Sequence, residues 1–173
     1  MSNSTNLEAG IAAFNEGRYE TAVEHLSKSL EEASQSSNIG DFGLSTYFLE
    51  CSMAFKEDRT LDKKKVEAAL NSFRQSNLYY MAAQCCEYLS TTVDVENARR
   101  LLEEAREHYK QCPNWTGEAR TYRIEAGILK RSSDVSQARE LLNKALKAIE
   151  VQPQGLETVK AERRQIEREI LAL

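Results

Sequence analysis

The stretch that decides the fold is Gly17-Arg-Tyr19-Glu-Thr-Ala22-Val-Glu-His-Leu26-Ser-Lys-Ser-Leu30. Its apolar residues recur three or four positions apart, which is the spacing of one face of an α-helix. A small side chain lets a neighbouring helix approach closely, and the leucine four positions on fills the next layer of the interface. The same spacing returns twice further along the chain, at Ala98, Leu102 and Ala105 and at Ala138, Leu142 and Ala145. The pattern predicts an all-α fold of paired antiparallel helices.

The spacing of these alanines defines the repeat. Ala22 and Ala98 are 76 residues apart, which leaves room for two intervals of 38, and Ala98 and Ala138 are 40 residues apart. Val66, Leu70 and Phe73 supply the repeat between, less cleanly. We therefore predict one helical-repeat domain over 1–173, with hairpins over about 5–35, 41–76, 77–112 and 115–151 and a capping helix over 154–173.

Polar and turn-forming residues predict where the helices begin and end. Gly17 is expected to end the first helix, and Thr60 and Asp94 are expected to cap later ones. The serine-rich stretch 34–38 predicts the one long link of the chain, and all other links are expected to be short. Pro113 and Pro153 are expected to close the third and fourth repeats.

The repeat resembles the tetratricopeptide-repeat (TPR) family at residues about 5–150. In the first repeat the matching residues are Gly10, Gly17, Tyr19, Ala22, Leu26 and Leu30. Ser29 stands where the family has a small alanine, and the interval exceeds the family's 34 residues, so the longer repeats look more like those of the soluble NSF attachment proteins. The resemblance implies a superhelix that binds protein partners on the concave face formed by the first helix of each pair.

Aligned on the alanines, the first helices of the pairs present a candidate binding face. It is apolar in the first half of the chain and basic in the second, and it comprises Leu7, Ile11, Phe14, Phe48, Phe55, Tyr80, Arg120, Arg123, Lys130 and Arg131. This face predicts a partner peptide or amphipathic helix with apolar and acidic residues. Two alternatives stay open: the apolar residues belong to the core, or the basic residues form a solvated face balanced by Glu118 and Glu125.

Composition and motifs argue against other kinds of function. The chain carries 23 basic and 27 acidic side chains, a net charge of −4, which disfavours a nucleic-acid binder. It has no nucleotide-binding, zinc-protease or serine-hydrolase motif, so we expect no enzyme and no cofactor. Its four cysteines form no CxxC pair and its two histidines are far apart, so we expect buried thiols and no metal site. The N-terminus has no secretory pattern and no apolar stretch is long enough to span a membrane, which favours a cytoplasmic protein.

These observations predict a non-catalytic adaptor or scaffold that binds a partner protein. The alternatives are a vesicle-trafficking adaptor of the attachment-protein type, a small acidic chaperone for one partner, and, from another class, an RNA-binding helical-repeat protein. The last helix has a second interpretation as a dimerisation or partner-binding helix instead of a cap.

Overall fold

The structure, a computed structural model, describes residues 5–112, 114 and 116–173. Their regular structure is entirely helical, with no strand in these ranges. The helices are α1 (Thr5–Asn15), α2 (Tyr19–Ser36), α3 (Ile39–Glu57), α4 (Lys63–Ser76), α5 (Tyr79–Ser90), α6 (Val95–Lys110), α7 (Gly117–Arg131), α8 (Val135–Glu150) and α9 (Glu157–Leu171).

The chain forms two compact units, Met1–Cys85 and Cys86–Leu173, and the division falls within α5. In the first unit α1 packs on α2, α2 on α3, and α3 on α4. In the second unit α6 packs on α7, α7 on α8, and α8 on α9. Short links between helices that lie side by side make sequence neighbours antiparallel. The predicted all-α array of helix hairpins is confirmed, while the repeat boundaries stay a prediction.

The small residues that define the repeat all face the core. Ala22, Ala98 and Ala138 are completely buried, and so are the small residues seven positions on. At the first of these later positions Ser29 replaces alanine, and its hydroxyl lies 2.8 Å from that of Ser45 on α3. The hydrogen bond satisfies both buried hydroxyls, so a polar residue is tolerated at an interface that the pattern reserves for alanine.

Glycine allows two further close approaches in the first unit. A Cβ atom at Gly10 would lie 2.6 Å from Cγ of Leu26, and one at Gly43 would lie 2.8 Å from Cβ of Ser72. The backbones of α1 and α3 therefore approach α2 and α4 more closely than any larger residue permits. Gly17 has φ of 74°, a left-handed conformation that glycine favours, and α1 ends just before it, as the pattern predicts.

The prediction of a long link at residues 34–38 is wrong. Helix α2 continues to Ser36, because the hydroxyls of Ser34 and Ser36 donate to the carbonyl oxygens of Leu30 and Glu32 within the helix. Ser37 then adopts a left-handed conformation, and the side chain of Asn38 accepts a hydrogen bond from the amide of Asp41 at the start of α3. Two residues suffice for the turn, although their composition resembles that of a long loop.

Two other boundary predictions had different outcomes. Thr60 does not cap α4, because the cap is Asp62, whose carboxylate accepts from the amide of Lys64. Asp94 caps α6 as predicted, accepting from the amide of Asn97. Pro113, predicted to close the third repeat, lies outside the described residues.

The last helix contributes to the core of the second unit. Val159 and Ile166 are completely buried in one cluster with Leu142 and Ile149 of α8. Arg163, which lies between these two residues in the sequence, is partly exposed and pairs with Glu167 at 3.0 Å. Helix α9 therefore covers apolar surface of α8, the packing that a capping helix requires.

None of the helices in the described ranges has both the length and the apolar character needed to cross a lipid bilayer.

Candidate functional site

The apolar residues predicted for the binding face lie in the first unit, and three of them meet in one aromatic cluster. The aromatic cluster consists of Phe14, Tyr19, Phe48 and Phe55. The rings of Phe14 and Phe48 are 5.4 Å apart and nearly perpendicular, and those of Tyr19 and Phe55 are stacked at 5.3 Å. Phe14 contacts the second pair at 5.9 Å from each ring. Such separations are typical of stabilising aromatic pairs.

The aromatic cluster begins in the core and ends in solvent. Phe14 and Phe48 are half-buried against the cluster that contains Leu7 and Leu26. Phe55, close to the C-terminal end of α3, is 61% exposed although its ring contacts two others. An exposed phenylalanine held in place by its neighbours is a typical anchor at protein interfaces.

The other apolar candidates divide between core and surface. Leu7 is 3% exposed, so the alternative interpretation as a core residue applies to it. Ile11 is half-buried in the same core. Tyr80 on α5 is 42% exposed, and its hydroxyl accepts a hydrogen bond from Gln84. Tyr19, a residue of the aromatic cluster, lies on a second helix, whereas the predicted face contains residues of first helices only.

Charged side chains surround the exposed end of the aromatic cluster. Lys56, next to Phe55, lies 3.7 Å from Glu20 at the start of α2. Glu16 and Arg18, on the turn before Tyr19, pair with each other. All four side chains are at least 45% exposed. The arrangement is an apolar centre with a polar rim of both signs, as found in protein interfaces.

The basic candidates lie in the second unit, and two of them are bound to acidic partners. Nε of Arg120 lies 3.0 Å from both carboxylate oxygens of Glu87, and its guanidinium donates to the hydroxyl of Tyr109 at 2.6 Å. Burial lowers the pKa of Arg120, but the attraction of Glu87 outweighs it, so the net shift is upward and the guanidinium stays charged. The partner is Glu87, and not the predicted Glu118 or Glu125.

Arg123 is bound in a similar way to the last helix. It donates to Glu162 at 2.7 Å and to Glu169 at 2.9 Å. Lys130 donates to the carbonyl of Ala172 at 2.9 Å. Both side chains bind residues of α9 or of its C-terminal end. Their role in the structure is therefore to hold α9 on α7.

Three of the four basic candidates also share a pocket. Arg123, Lys130 and Arg131 line a cavity of about 310 Å³ in the second unit, together with the apolar side chains of Ile124 and Leu142. Arg131 is exposed. The pocket combines an apolar wall with cationic groups and the carboxylate of Glu169, which already binds Arg123. Its remaining basic side chains suit an acidic residue beside an apolar one.

The most buried carboxylate of the first unit has a structural role. Glu50 is 1% exposed, and it accepts from Arg59 at 2.5 Å, from the amide of Asp62 at 2.7 Å and from Lys65 at 2.8 Å. Burial raises the pKa of Glu50, but these three donors outweigh it and lower the pKa to about 2. A carboxylate with so low a pKa is a poor general base.

The second unit contains a buried charged pair of the same kind. Arg106 and Glu125, whose side chains are 7% and 8% exposed, lie 3.1 Å apart. Arg106 also binds Glu103 at 2.8 Å and lies over the ring of Tyr122 at 4.6 Å. Burial lowers the pKa of Arg106, but its glutamate partners outweigh it and raise the pKa above the ordinary value. This ion pair joins α6 to α7, and each of its two charges is compensated by the other.

One juxtaposition was not found by sequence reasoning. Cys86 on α5 and Glu104 and His108 on α6 place a thiol, a carboxylate and an imidazole within 4.8 Å of one another. The spacing of Glu104 and His108 is the available signal, because residues four apart share one helix face. Nothing in the sequence shows that Cys86 packs against that face. None of the four cysteines, all within the described residues, is in a disulfide.

No protein-family model matches the chain, and no curated protein or solved structure matches it either.

Proposed function

We propose that this protein is a non-catalytic interaction module that binds a partner protein through the aromatic cluster of its first unit. The observation that carries the proposal is the 61% exposure of Phe55 within a set of stacked rings. Keeping a phenylalanine in water costs free energy that a docking partner recovers on burying it. Tight ring contacts also reduce the entropy lost when the side chain is bound.

The chemistry of the cluster defines the partner. An apolar side chain fits against Phe55 and Tyr19, and the surrounding charges of both signs suit a peptide with polar residues on either side of that anchor. An amphipathic helix presents such an anchor at intervals of three or four residues. The resemblance of the repeat to TPR arrays, many of which bind peptides, agrees with this proposal.

We expect acidic residues of the partner to bind at the pocket of the second unit. Arg120 and Arg123 are bound to glutamates, so an acidic ligand must displace those glutamates to reach them. Arg131 is exposed at the pocket and is the better candidate for contact with a partner carboxylate. Replacing Arg123 would also release Glu162 and Glu169, so its loss does not test binding cleanly.

The test is quantitative co-purification with the tagged full chain, followed by binding measurements on the partner recovered. Phe55→Ala is expected to weaken binding at least about tenfold, because truncation of an aromatic anchor removes a large share of the binding energy. Val151→Ala is the matched control, since Val151 is 80% exposed and lies outside the aromatic cluster. Circular dichroism should show the same helicity for all three proteins.

Arg131→Glu in the same assay tests the acidic contact separately. A partner that binds the Phe55→Ala variant as tightly as the native chain would contradict the aromatic anchor. If Phe55→Ala abolishes binding but Arg131→Glu leaves the affinity unchanged, the apolar anchor is supported and the acidic contact is contradicted. One dominant partner whose solubility depends on this chain would favour the chaperone alternative over an adaptor.

A further inference from the structure

A thiol, an imidazole and a carboxylate meet between α5 and α6 in the second unit. Cys86 is completely buried, whereas the side chains of His108 and Glu104 are 15% and 31% exposed. Nε2 of His108 lies 3.3 Å from a carboxylate oxygen of Glu104, and the three candidate ligand atoms all lie within 4.8 Å of one another. We infer that these three side chains form a binding site for a divalent transition metal, with Zn²⁺ as the ion that fits best.

The distances suit a single ion. Zinc lies about 2.0–2.3 Å from nitrogen, oxygen and sulfur ligands, so two ligands of one tetrahedral ion are about 3.5 Å apart. The histidine and the glutamate already have this separation. Because the largest separation in the cluster is 4.8 Å or less, small side-chain rotations bring the third ligand to the same distance.

The donor set selects the metal. Thiolate and imidazole are ligands that zinc prefers, while calcium and magnesium take oxygen ligands almost exclusively. Zinc binding requires the thiolate form of Cys86, so the thiol proton is released to solvent as the Zn–S bond forms. Three protein ligands leave a fourth position for water, and the exposed side of Glu104 is where that water and the entering ion reach the site.

The site arises from helix geometry and one contact. Glu104 and His108 are four residues apart on α6, so both side chains point from the same face. That face meets α5 at Cys86, and a bound ion would join the two helices. The ordinary alternative is a glutamate–histidine hydrogen bond beside a buried thiol, with no affinity for metal. Titration of the full chain with a metal ion distinguishes the two.

The test uses the full chain, reduced and stripped of metal with a chelator. Titration with Co²⁺ is expected to give a thiolate-to-cobalt charge-transfer band that saturates at one equivalent and is removed by Zn²⁺. Cys86→Ser should abolish the band, and Glu104→Gln and His108→Gln should each weaken binding at least about tenfold. Zinc should also raise the melting temperature of the native chain, and less so that of the variants.

The control variant is Cys112→Ser. The Cys112 thiol faces the carbonyl of His108, with sulfur 3.5 Å from that oxygen, and is not among the three clustered groups. This variant should therefore keep the band and the affinity. If Cys86→Ser does not fold, the two α6 variants decide, because both positions are partly exposed. The inference is overturned by a native chain without the band, by a band that survives Cys86→Ser, or by affinity unchanged in both α6 variants.

Discussion

At the scale of single residues, the buried carboxylates act as ties between helices. Glu50 sits on α3 and binds Arg59 and Asp62 of the following link and Lys65 of α4. Each carboxylate oxygen has a donor, so the free energy lost on burying the charge is offset by hydrogen bonds and ion pairs. A residue that looks like a surface glutamate in the sequence thus holds the link between two helices.

Glu50→Gln tests this role. The pKa of Glu50 is lowered to about 2, so its charge stabilises the fold above the pKa of an ordinary glutamate, about 4.3. That contribution is lost as the pH falls from about 4.3 to about 2. We expect the substitution to lower the free energy of unfolding at neutral pH by about 1–2 kcal/mol, a value reduced for the partial exposure of Arg59 and Lys65. Urea unfolding at a series of pH values measures it.

The matched control is Glu57→Gln. Glu57 also binds Arg59, at 2.7 Å, but its side chain is 48% exposed, and exposed pairs contribute little. The native chain should lose stability more steeply than Glu50→Gln between pH 4.3 and 2. If the native chain and Glu50→Gln lose free energy of unfolding equally as the pH falls, the charge of Glu50 does not stabilise the fold.

At the scale of helices, close approach depends on where small residues face a neighbour. Gly40 and Gly43 lie on the same helix, α3, only one turn apart. A Cβ at Gly43 would meet Cβ of Ser72 at 2.8 Å, while one at Gly40 would have its nearest neighbour, Cβ of Ser76, at 3.6 Å. The two glycines look equivalent in the sequence, and only the packing of α4 distinguishes them.

Alanine at these two positions should have different effects on stability. Gly43→Ala is expected to destabilise the protein by about 1–2 kcal/mol, because overpacking exceeds the gain in helix propensity. Gly40→Ala is expected to be neutral or to stabilise by up to about 1 kcal/mol, since the added methyl group makes only ordinary contacts. Chemical unfolding followed by helical circular dichroism compares the two variants. Destabilisation of similar size at both positions would contradict the close approach of α3 to α4.

Helix α7 shows what a charge pattern does and does not reveal. Its arginines were predicted as a face for an acidic partner, and the structure places acidic residues beside two of them, Glu87 at Arg120 and Glu162 at Arg123. These glutamates are 33 and 39 residues away in the sequence. Pairs so distant follow no local spacing rule, so only the packing of α5 and α9 identifies them.

At the scale of the whole molecule, the balance of charges disfavours RNA binding. Residues 1–60 carry four basic and ten acidic side chains, and residues 61–173 carry 19 basic and 17 acidic, for a total of −4. In the second unit Arg99, Arg106, Arg120 and Arg123 bind glutamates. Phosphate groups would have to compete with those partners.

We therefore expect no binding of single-stranded RNA at physiological salt. A gel shift with a labelled oligonucleotide should show no complex at micromolar protein, with a basic RNA-binding domain as the positive control. A shift that weakens steeply as salt is raised would contradict this expectation, because that dependence is typical of phosphate contacts. It would restore the RNA-binding alternative.

Helix content and core positions could be predicted from the sequence because both follow from local spacing. Ala98 and Leu102 are each completely buried, as their spacing on α6 predicts. The link after α2 could not be predicted, because serines stabilise a turn or extend a helix according to which carbonyl their hydroxyls reach. Of the candidate site, Phe14, Phe48 and Phe55 were predicted to share a face. The exposure of Phe55 could not be predicted, because it depends on how the end of α3 packs against Phe14 and Tyr19.

The sequence by itself determined that this chain is all-α, that helices adjacent in the sequence pack together within each unit, and which small residues face the core. These properties depend on contacts between residues three or four apart or on adjacent helices, which periodicity encodes directly. Only the tertiary structure decided which charges are tied to distant partners, which aromatic ring is exposed, and that Cys86 meets Glu104 and His108. Such contacts join side chains from separate helices, and their distances depend on how the helices pack.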